Sequence, residues 1–374
     1  MRQHADIAVI GAGIAGLAHA YAAARRGHRV VLFERHQRAV GASIRNFGLV
    51  WPIGVPEALV DRALFGRKAW LDLAGKAGFT CQPNGSLLLA YQPDEYDVLA
   101  EFSATAHAQH LSCRLLTAAQ VIDCSPVVRS DGLLGGLWSP NELTIDPRTA
   151  LGQLPHWLAR EYGVALRFGS AVSHLANQHI DTNTEHWQVG HVFVCVGSDF
   201  DTLFPATFAA SGITRCKLQM MRTVPQPTGW RLGPTLGAGL TIARYETFAR
   251  CSSLAALKQR LAHELPEHVR DGIHVLLSQN GIGEIVIGDS HEYGPIVDPF
   301  DKETINQRIL VYLATFARVP SLEIAERWHG VYPKVAGQNE FVAHPEPDVT
   351  IVSDTAGLGM TLSFGLAEEN LQAL

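Results

Sequence analysis

No stretch of this 374-residue chain gathers lysine and arginine into a basic stripe. The formal net charge is −6, which excludes a nucleic-acid partner and means that any anionic ligand must be held by local groups rather than by the field of the whole molecule. Cysteine is sparse and scattered. Cys81, Cys113, Cys124, Cys195, Cys216 and Cys251 form no C-x-x-C pair and read as reduced thiols in a cytoplasmic protein. The histidine pair His263 and His268 has the wrong spacing for a zinc helix and encloses a proline, so no metal site is expected. Long hydrophobic runs are missing too. Ala5 to Ala24, the stretch that most resembles a signal segment, is broken by Gly11, Gly13 and Gly16 and carries Asp6 and His19. Nothing else reaches the ~18 uninterrupted apolar residues of a membrane span, so the chain reads as soluble, without a membrane partner.

What is present is an ordinary globular mixture, 47% apolar and 18% charged, long enough for two lobes around a shared interface. Asp6–Ile10 is a short apolar run of the kind buried on both faces of a parallel sheet. A glycine turn follows, then a helical pattern from Ile14 to Arg26, then Gly27 and a second buried strand from Arg29 to Phe33. Helices are predicted over Trp51–Ala77, Asp94–His110, Arg148–Tyr162, Ser253–Leu265 and Lys302–Phe316. Strands are predicted over Ser86–Tyr91, His191–Val196, Lys217–Val224, Leu240–Tyr245, Glu284–Gly288 and Val349–Val352, with a strand pair within Gly163–Leu175. Leu133–Asp146 reads as a turn-rich crossing between lobes. Nucleotide-type signals recur at the start, middle and end of the chain. The expected fold class is therefore α/β: a discontinuous, three-layer Rossmann-like domain (1–80, 145–212 and 328–374) with an inserted α+β substrate domain on a mostly antiparallel sheet (81–144 and 213–327).

Gly11-Ala12-Gly13-Ile14-Ala15-Gly16 is a G-x-G-x-x-G fingerprint between a strand and a helix. Gly11 permits the tight turn, Gly13 lets backbone approach a pyrophosphate, and Gly16 lets helix and strand pack closely; the helix start at Ile14 and Ala15 supplies N–H donors. Glu34, followed by Arg35, ends the second strand, placed to accept hydrogen bonds from a ribose, and a carboxylate there argues against a 2′-phosphate. Three further features favour FAD over NAD. The small-residue turn Gly41-Ala-Ser-Ile-Arg-Asn-Phe-Gly48 suits a ribityl chain beyond the pyrophosphate. An apolar strand ends at Gly197. Near the C-terminus, Gly357-Leu358-Gly359-Met360-Thr361 opens a helix whose dipole suits the charge of a reduced flavin.

Together these motifs resemble the D-amino acid oxidase (DAO) superfamily of FAD-dependent amine oxidases, which includes glycine oxidase and sarcosine oxidase. Gly41–Pro52, Gly288–Tyr293, Trp328–Pro333 and Gly359–Ser363 are similar to a clade associated with phosphonate catabolism. The resemblance implies noncovalent FAD held by Gly11, Gly13, Gly16 and Glu34, with Ser43 and Asn46 along its phosphate and ribityl side. It further implies Gly48 near the isoalloxazine, Val172 at the adenine, and Gly359, Met360 and Thr361 at the pyrimidine end. Where glycine oxidase-like members carry W-x-G-x-R-P, this chain has Trp328-His-Gly-Val-Tyr332-Pro333, and tyrosine cannot form the bidentate fork of arginine on a carboxylate. Arg45, Lys334 and His291 are the expected substrate-side groups, with His291 or Tyr332 favouring the deprotonated amine. The implied activity is oxidative deamination, by oxygen, of a small anionic amine such as an aminoalkylphosphonate, possibly N-methylated, to an aldehyde, ammonia or an amine, and hydrogen peroxide. Three alternatives stay open: oxidation of glycine, sarcosine or D-amino acids, a dehydrogenase that passes its electrons to another carrier, and a non-catalytic flavoprotein acting as a binding or sensory module.

Overall fold

The computed structural model describes residues 3–374. Its first sheet has eight strands, ordered Val172–Ala176, His179–Thr182, His186–Val194, Gln3–Ile10, Val30–Glu34 and Ala165–Phe168, with Val349–Asp354 and Glu340–Glu346 joining beside His186–Val194. Gln3–Ile10 runs parallel to both of its neighbours, and Val349–Asp354 extends the parallel array. Side chains alternate across it as period-two geometry demands: Ile7, Val9, Val30 and Leu32 enter one core, and Ala8, Ile10, Val31 and Phe33 the other. Helices Ile14–Arg25, Val60–Ala77, Pro147–Tyr162 and Gly359–Gln372 cover the first face. Trp70 stands edge-on to Phe79 and Phe364, with ring centroids 5.7 and 5.2 Å apart.

The second sheet has nine strands, ordered Glu292–Gly294, Thr214–Thr223, Ile285–Gly288, Leu276–Gln279, Thr235–Gly237, Ser86–Ala90, Gly135–Ser139 and Arg114–Thr117, with Ile324–Lys334 also paired to Thr214–Thr223. It is antiparallel throughout except where Thr235–Gly237 meets Ser86–Ala90. The expected architecture of a parallel nucleotide sheet plus a mostly antiparallel second sheet is what the chain adopts.

Several local expectations need correction. Leu240–Tyr245 is not a strand; Gly239–Arg244 is a short helix that buries Leu240, Thr241 and Ile242. A short apolar run does not distinguish the two states by periodicity. Leu133–Asp146 holds the strands Gly135–Ser139 and Leu143–Ile145 rather than turns alone. Its glycines are packing devices: a Cβ on Gly136 would lie 2.8 Å from the Leu88 carbonyl oxygen. The two strands within Gly163–Leu175 do not pair with each other but occupy opposite ends of the first sheet. Asp94–His110 breaks at Thr105, which caps a second helix, and the first helix buries Val98, Leu99 and Phe102. Trp51–Ala77 begins as two 3₁₀ turns and becomes α-helical only at Val60. The strand Ile324–Lys334 pairs with Thr214–Thr223 of the second sheet to its end.

His19 couples the first and last helices of the nucleotide domain. Its Nδ1–H donates to the Ala15 carbonyl at 2.7 Å, its Nε2 lies 3.0 Å from Asn370 Nδ2, and its ring packs 4.6 Å from Phe193. Burial pushes its pKa down from 6.5 to about 4. Its contribution is therefore complete above pH 6.5 and is lost as pH falls toward 4, by roughly 3 kcal/mol at about 1.4 kcal/mol per unit. Denaturation of the wild type and His19→Gln at pH 7, 5.5 and 4 should show a stability difference that shrinks with acid; a constant difference would contradict this account.

Candidate active site

The tight turn after Ile10 is set by backbone contacts. Gly11 has φ +106°, and a Cβ there would lie 2.3 Å from the Cys195 carbonyl oxygen. Gly16 sits on Gly11 itself, where a Cβ would come within 1.8 Å of its carbonyl oxygen. Gly16 thus supports the turn from behind, while Gly11, Gly13, Ile14 and Ala15 line the adjoining cavity. No side chain of the N-cap Gly13 caps the helix; instead the Ile14 N–H donates to Ser43 Oγ at 2.9 Å, bringing the second glycine turn against the first. Glu34 accepts from the Ala12 and His36 N–H groups, each at 3.0 Å.

The cavity is about 470 Å³ and runs from this cradle to the second sheet. At one end lie Glu34, Arg35 and Val172, with Arg35 ion-paired to Asp199; Gly197, at φ +61°, follows. Ser43, Arg45 and Asn46 form its middle. Asn46 braces its own turn, donating to the Ala42 and Ser43 carbonyls and accepting from Gly48 N–H at 2.7 Å. Gly48 does not line the cavity as expected. Its backbone lies against Ile145, whose carbonyl oxygen would be 1.8 Å from a Cβ there. Gly359, Met360 and Thr361 do line it, at the start of a helix with no side-chain cap. Thr361 Oγ1 also accepts the Trp51 N–H at 2.8 Å. Just before that turn, Asp354 accepts N–H groups from Ala356, Gly357 and Leu358, yet burial pushes its pKa up to about 7.

The far end is the chemically dense one. Tyr332 is buried, stands against the Gly357 turn and shares a hydrogen bond with Cys216. Burial and that thiol hold its hydroxyl well above its ordinary pKa, so it is a neutral phenol and no base. The Nδ1–H of His291 donates to the Gly272 carbonyl at 2.9 Å, which leaves Nε2 with the lone pair. Burial pushes His291 down to about 3, and the ring stays neutral at physiological pH. Lys334, expected beside it, is not among the lining residues. Arg45 lines the cavity and donates to the His329 carbonyl at 3.2 Å.

Four lining residues escaped the sequence reading: Arg244, Tyr245, His274 and Asp289. Asp289 stood inside the Gly288–Tyr293 segment already singled out, whereas Arg244 lay in the run misread as a strand. His274 Nε2 approaches Asp289 Oδ1 at 2.9 Å and His291 Nδ1 lies 3.8 Å from it, yet Oδ1 is left without an aligned hydrogen bond. Burial works to raise the pKa of Asp289, but His274, His291 and Arg244 outweigh it and hold the carboxylate ionised. The ligand-type atoms of His274, Asp289 and His291 fall within 4.8 Å of one another, a grouping that the sequence spacing did not reveal. His291 Nδ1 is already committed to Gly272, which leaves that nitrogen no lone pair for an ion.

Residues 6–370 match the FAD dependent oxidoreductase family DAO. The chain belongs to that family. It is 24% identical to glycine oxidase of Geobacillus kaustophilus (strain HTA426) over 369 residues, covering 92% of this chain and 86% of that protein. It is also 29% identical over 181 residues to a subunit of the anaerobic glycerol-3-phosphate dehydrogenase of Escherichia coli (strain K12), a match to 47% of this chain that spans only 32% of that longer protein. Among solved structures, glycine oxidase from Geobacillus kaustophilus superposes with a TM-score of 0.77 at 18% identity, covering 99% of this chain and 94% of that one. L-proline dehydrogenase from P. horikoshii gives 0.76 at 20% identity, covering 98% and 92%. The cofactor is FAD. No helix among the described residues is long and apolar enough to cross a membrane.

The residues present fit that cofactor. One continuous cavity joins a glycine cradle, a carboxylate beyond it and two uncapped helix starts, and the turns at Gly11 and Gly357 both have positive φ. We expect Glu34→Ala to weaken FAD binding by roughly 10- to 100-fold, since a hydrogen bond to a charged group contributes about 1.5–3 kcal/mol. Fluorescence titration of apoprotein with FAD checks this. Unchanged affinity would remove Glu34 from the site.

Proposed function

We propose that the protein is an FAD-dependent amine oxidase acting on a small anionic amine, an aminoalkylphosphonate related to 2-aminoethylphosphonate being the favoured class. The observation that carries this reading is the pairing, in one cavity, of the cofactor cradle with a charged chamber at its far end, lined by Tyr332, His291, Asp289 and Arg244. The tyrosine at position 332 supports the anionic-amine half, because the arginine expected on an α-amino acid carboxylate is replaced there. Similarity of the Gly41–Pro52 and Gly288–Tyr293 segments to the phosphonate-associated clade supports the phosphonate half.

Gly11, Gly13, Ile14, Ala15, Glu34, Arg35, Ser43, Asn46, Val172 and Gly197 would hold the nucleotide side of FAD, and Gly359, Met360 and Thr361 its ring end. Bound there, FAD supplies the two-electron acceptor, and oxygen takes those electrons on to hydrogen peroxide. Net, the amine, oxygen and water give an aldehyde, ammonia (or a primary amine when nitrogen is methylated) and peroxide. The protein's part is mostly orientation. The Nε2 of His291 offers a lone pair that can accept an N–H from the amine and orient its nitrogen. Tyr332 presents a phenol that keeps its proton. Phe47, Tyr245 and Leu276 wall the chamber and restrict water.

Anaerobic mixing of the holoenzyme with 2-aminoethylphosphonate, its N-methyl derivative, glycine, sarcosine and D-alanine tests the reading. The phosphonates should bleach the flavin roughly tenfold or more faster at equal concentration, a margin that one charged contact provides. Bleaching by glycine or sarcosine alone would overturn the substrate assignment. Peroxide formed in step with amine consumed in air is the expected second result, and dye reduction without peroxide would contradict an oxidase.

A further inference from the structure

Arginines line the cavity at three positions, and their partners separate them. Arg35, at the nucleotide end, is paired with Asp199. Arg45, midway, donates to the His329 carbonyl while its own carbonyl receives Trp328 Nε1 at 3.0 Å, so it is built into the seam between the turn and the second sheet. Arg244 ends a short helix beside Tyr245, His274, Asp289 and His291. Its guanidinium is open to the cavity, and no carboxylate lies within ion-pair distance of it among the described residues. Its Nη2 donates to the Tyr293 hydroxyl at 2.8 Å. Burial opposes its charge, but the Tyr293 hydroxyl and the Asp289 carboxylate support it. Arg244 is therefore a fixed cation with donors to spare, facing the chamber.

We infer that Arg244 is the residue that binds the acid group of the substrate. This rests on the anionic-amine reading above and names the group that the sequence assigned to Arg45 or Lys334. A planar guanidinium presents five N–H donors in a fork that matches two oxygens of a phosphonate or a carboxylate. With one donor on Tyr293, the rest of that fork is free to receive an anion. Asp289 sets the opposite limit. Its buried carboxylate repels an anion that strays toward the histidines, so the acid group goes to Arg244 and the amine end to His291 Nε2. The chamber thus selects a short molecule carrying an anion at one end and an amine at the other, and it discriminates against simple alkylamines.

The test uses FAD-loaded wild type, Arg244→Met and Arg244→Lys, with FAD content and melting temperature measured for each. The expected result is a KM for 2-aminoethylphosphonate raised roughly 30-fold or more in Arg244→Met, the loss that follows truncating one side of a buried charge pair. Arg244→Lys should recover part of it. With propylamine, which has no acid group, wild type and Arg244→Met should differ by less than about threefold, which a merely structural role would not produce. In parallel, titration with methylphosphonate and with acetate should perturb the flavin spectrum of the wild type and not of Arg244→Met. If no aminophosphonate reduces the wild-type flavin but that anion titration still depends on Arg244, the substrate reading fails and the anion site stands. Equal anion binding in wild type and both variants, or equal KM shifts for propylamine and aminoethylphosphonate, would overturn the assignment.

Discussion

The contact of Gly16 with the Gly11 carbonyl governs the geometry of the nucleotide domain. With no Cβ between them, the helix Ile14–Arg25 starts directly on the turn that leaves the central strand, and Gly13, Ile14 and Ala15 at its start line the cavity. A methyl group at position 16 would push the helix away from the sheet. It would also move Ile14 from Ser43, the link that brings the Gly41–Gly48 turn into register with the cradle. The last helix packs on the first through His19 and Asn370, so the Gly359 turn is placed by the same contact at one remove.

The second sheet supplies what the first lacks. Thr214–Thr223 pairs along nearly its whole length with Ile324–Lys334, and Tyr332 projects from that ladder toward the Gly357 turn. The neighbouring Ile285–Gly288 strand leads into Asp289 and His291, and the short helix Gly239–Arg244 delivers Arg244 to the same place. The cradle thus comes from backbone close approach, while the far chamber is built from side chains on an independent sheet. That division separates the constraints on the cofactor cradle from those on the far chamber.

It also explains what was legible in the sequence. Backbone constraints leave glycines at set spacings, so the fingerprint at Gly11, the carboxylate at Glu34 and the turn at Gly357 were readable, as were the strands that flank them. Gly48 shows the ambiguity: a glycine required by a protein carbonyl, here Ile145, has the same signature as one required by a ligand. The substrate end left a weaker trace. Arg244 lies in an apolar hexapeptide whose state is decided by tertiary packing, and the meeting of His274 with Asp289 depends on strand register. The pairing of Ile324–Lys334 with Thr214–Thr223 left no trace for the same reason, since it is a long-range property.

The most direct measurement is a crystal structure of the FAD-loaded protein with the unreactive analogue 2-hydroxyethylphosphonate in the chamber. The account predicts the isoalloxazine between the start of the Gly359 helix and the wall of Tyr332 and His291, with the phosphonate oxygens on Arg244. An isoalloxazine outside that chamber, or a phosphonate bound at Arg45 with Arg244 untouched, would contradict it.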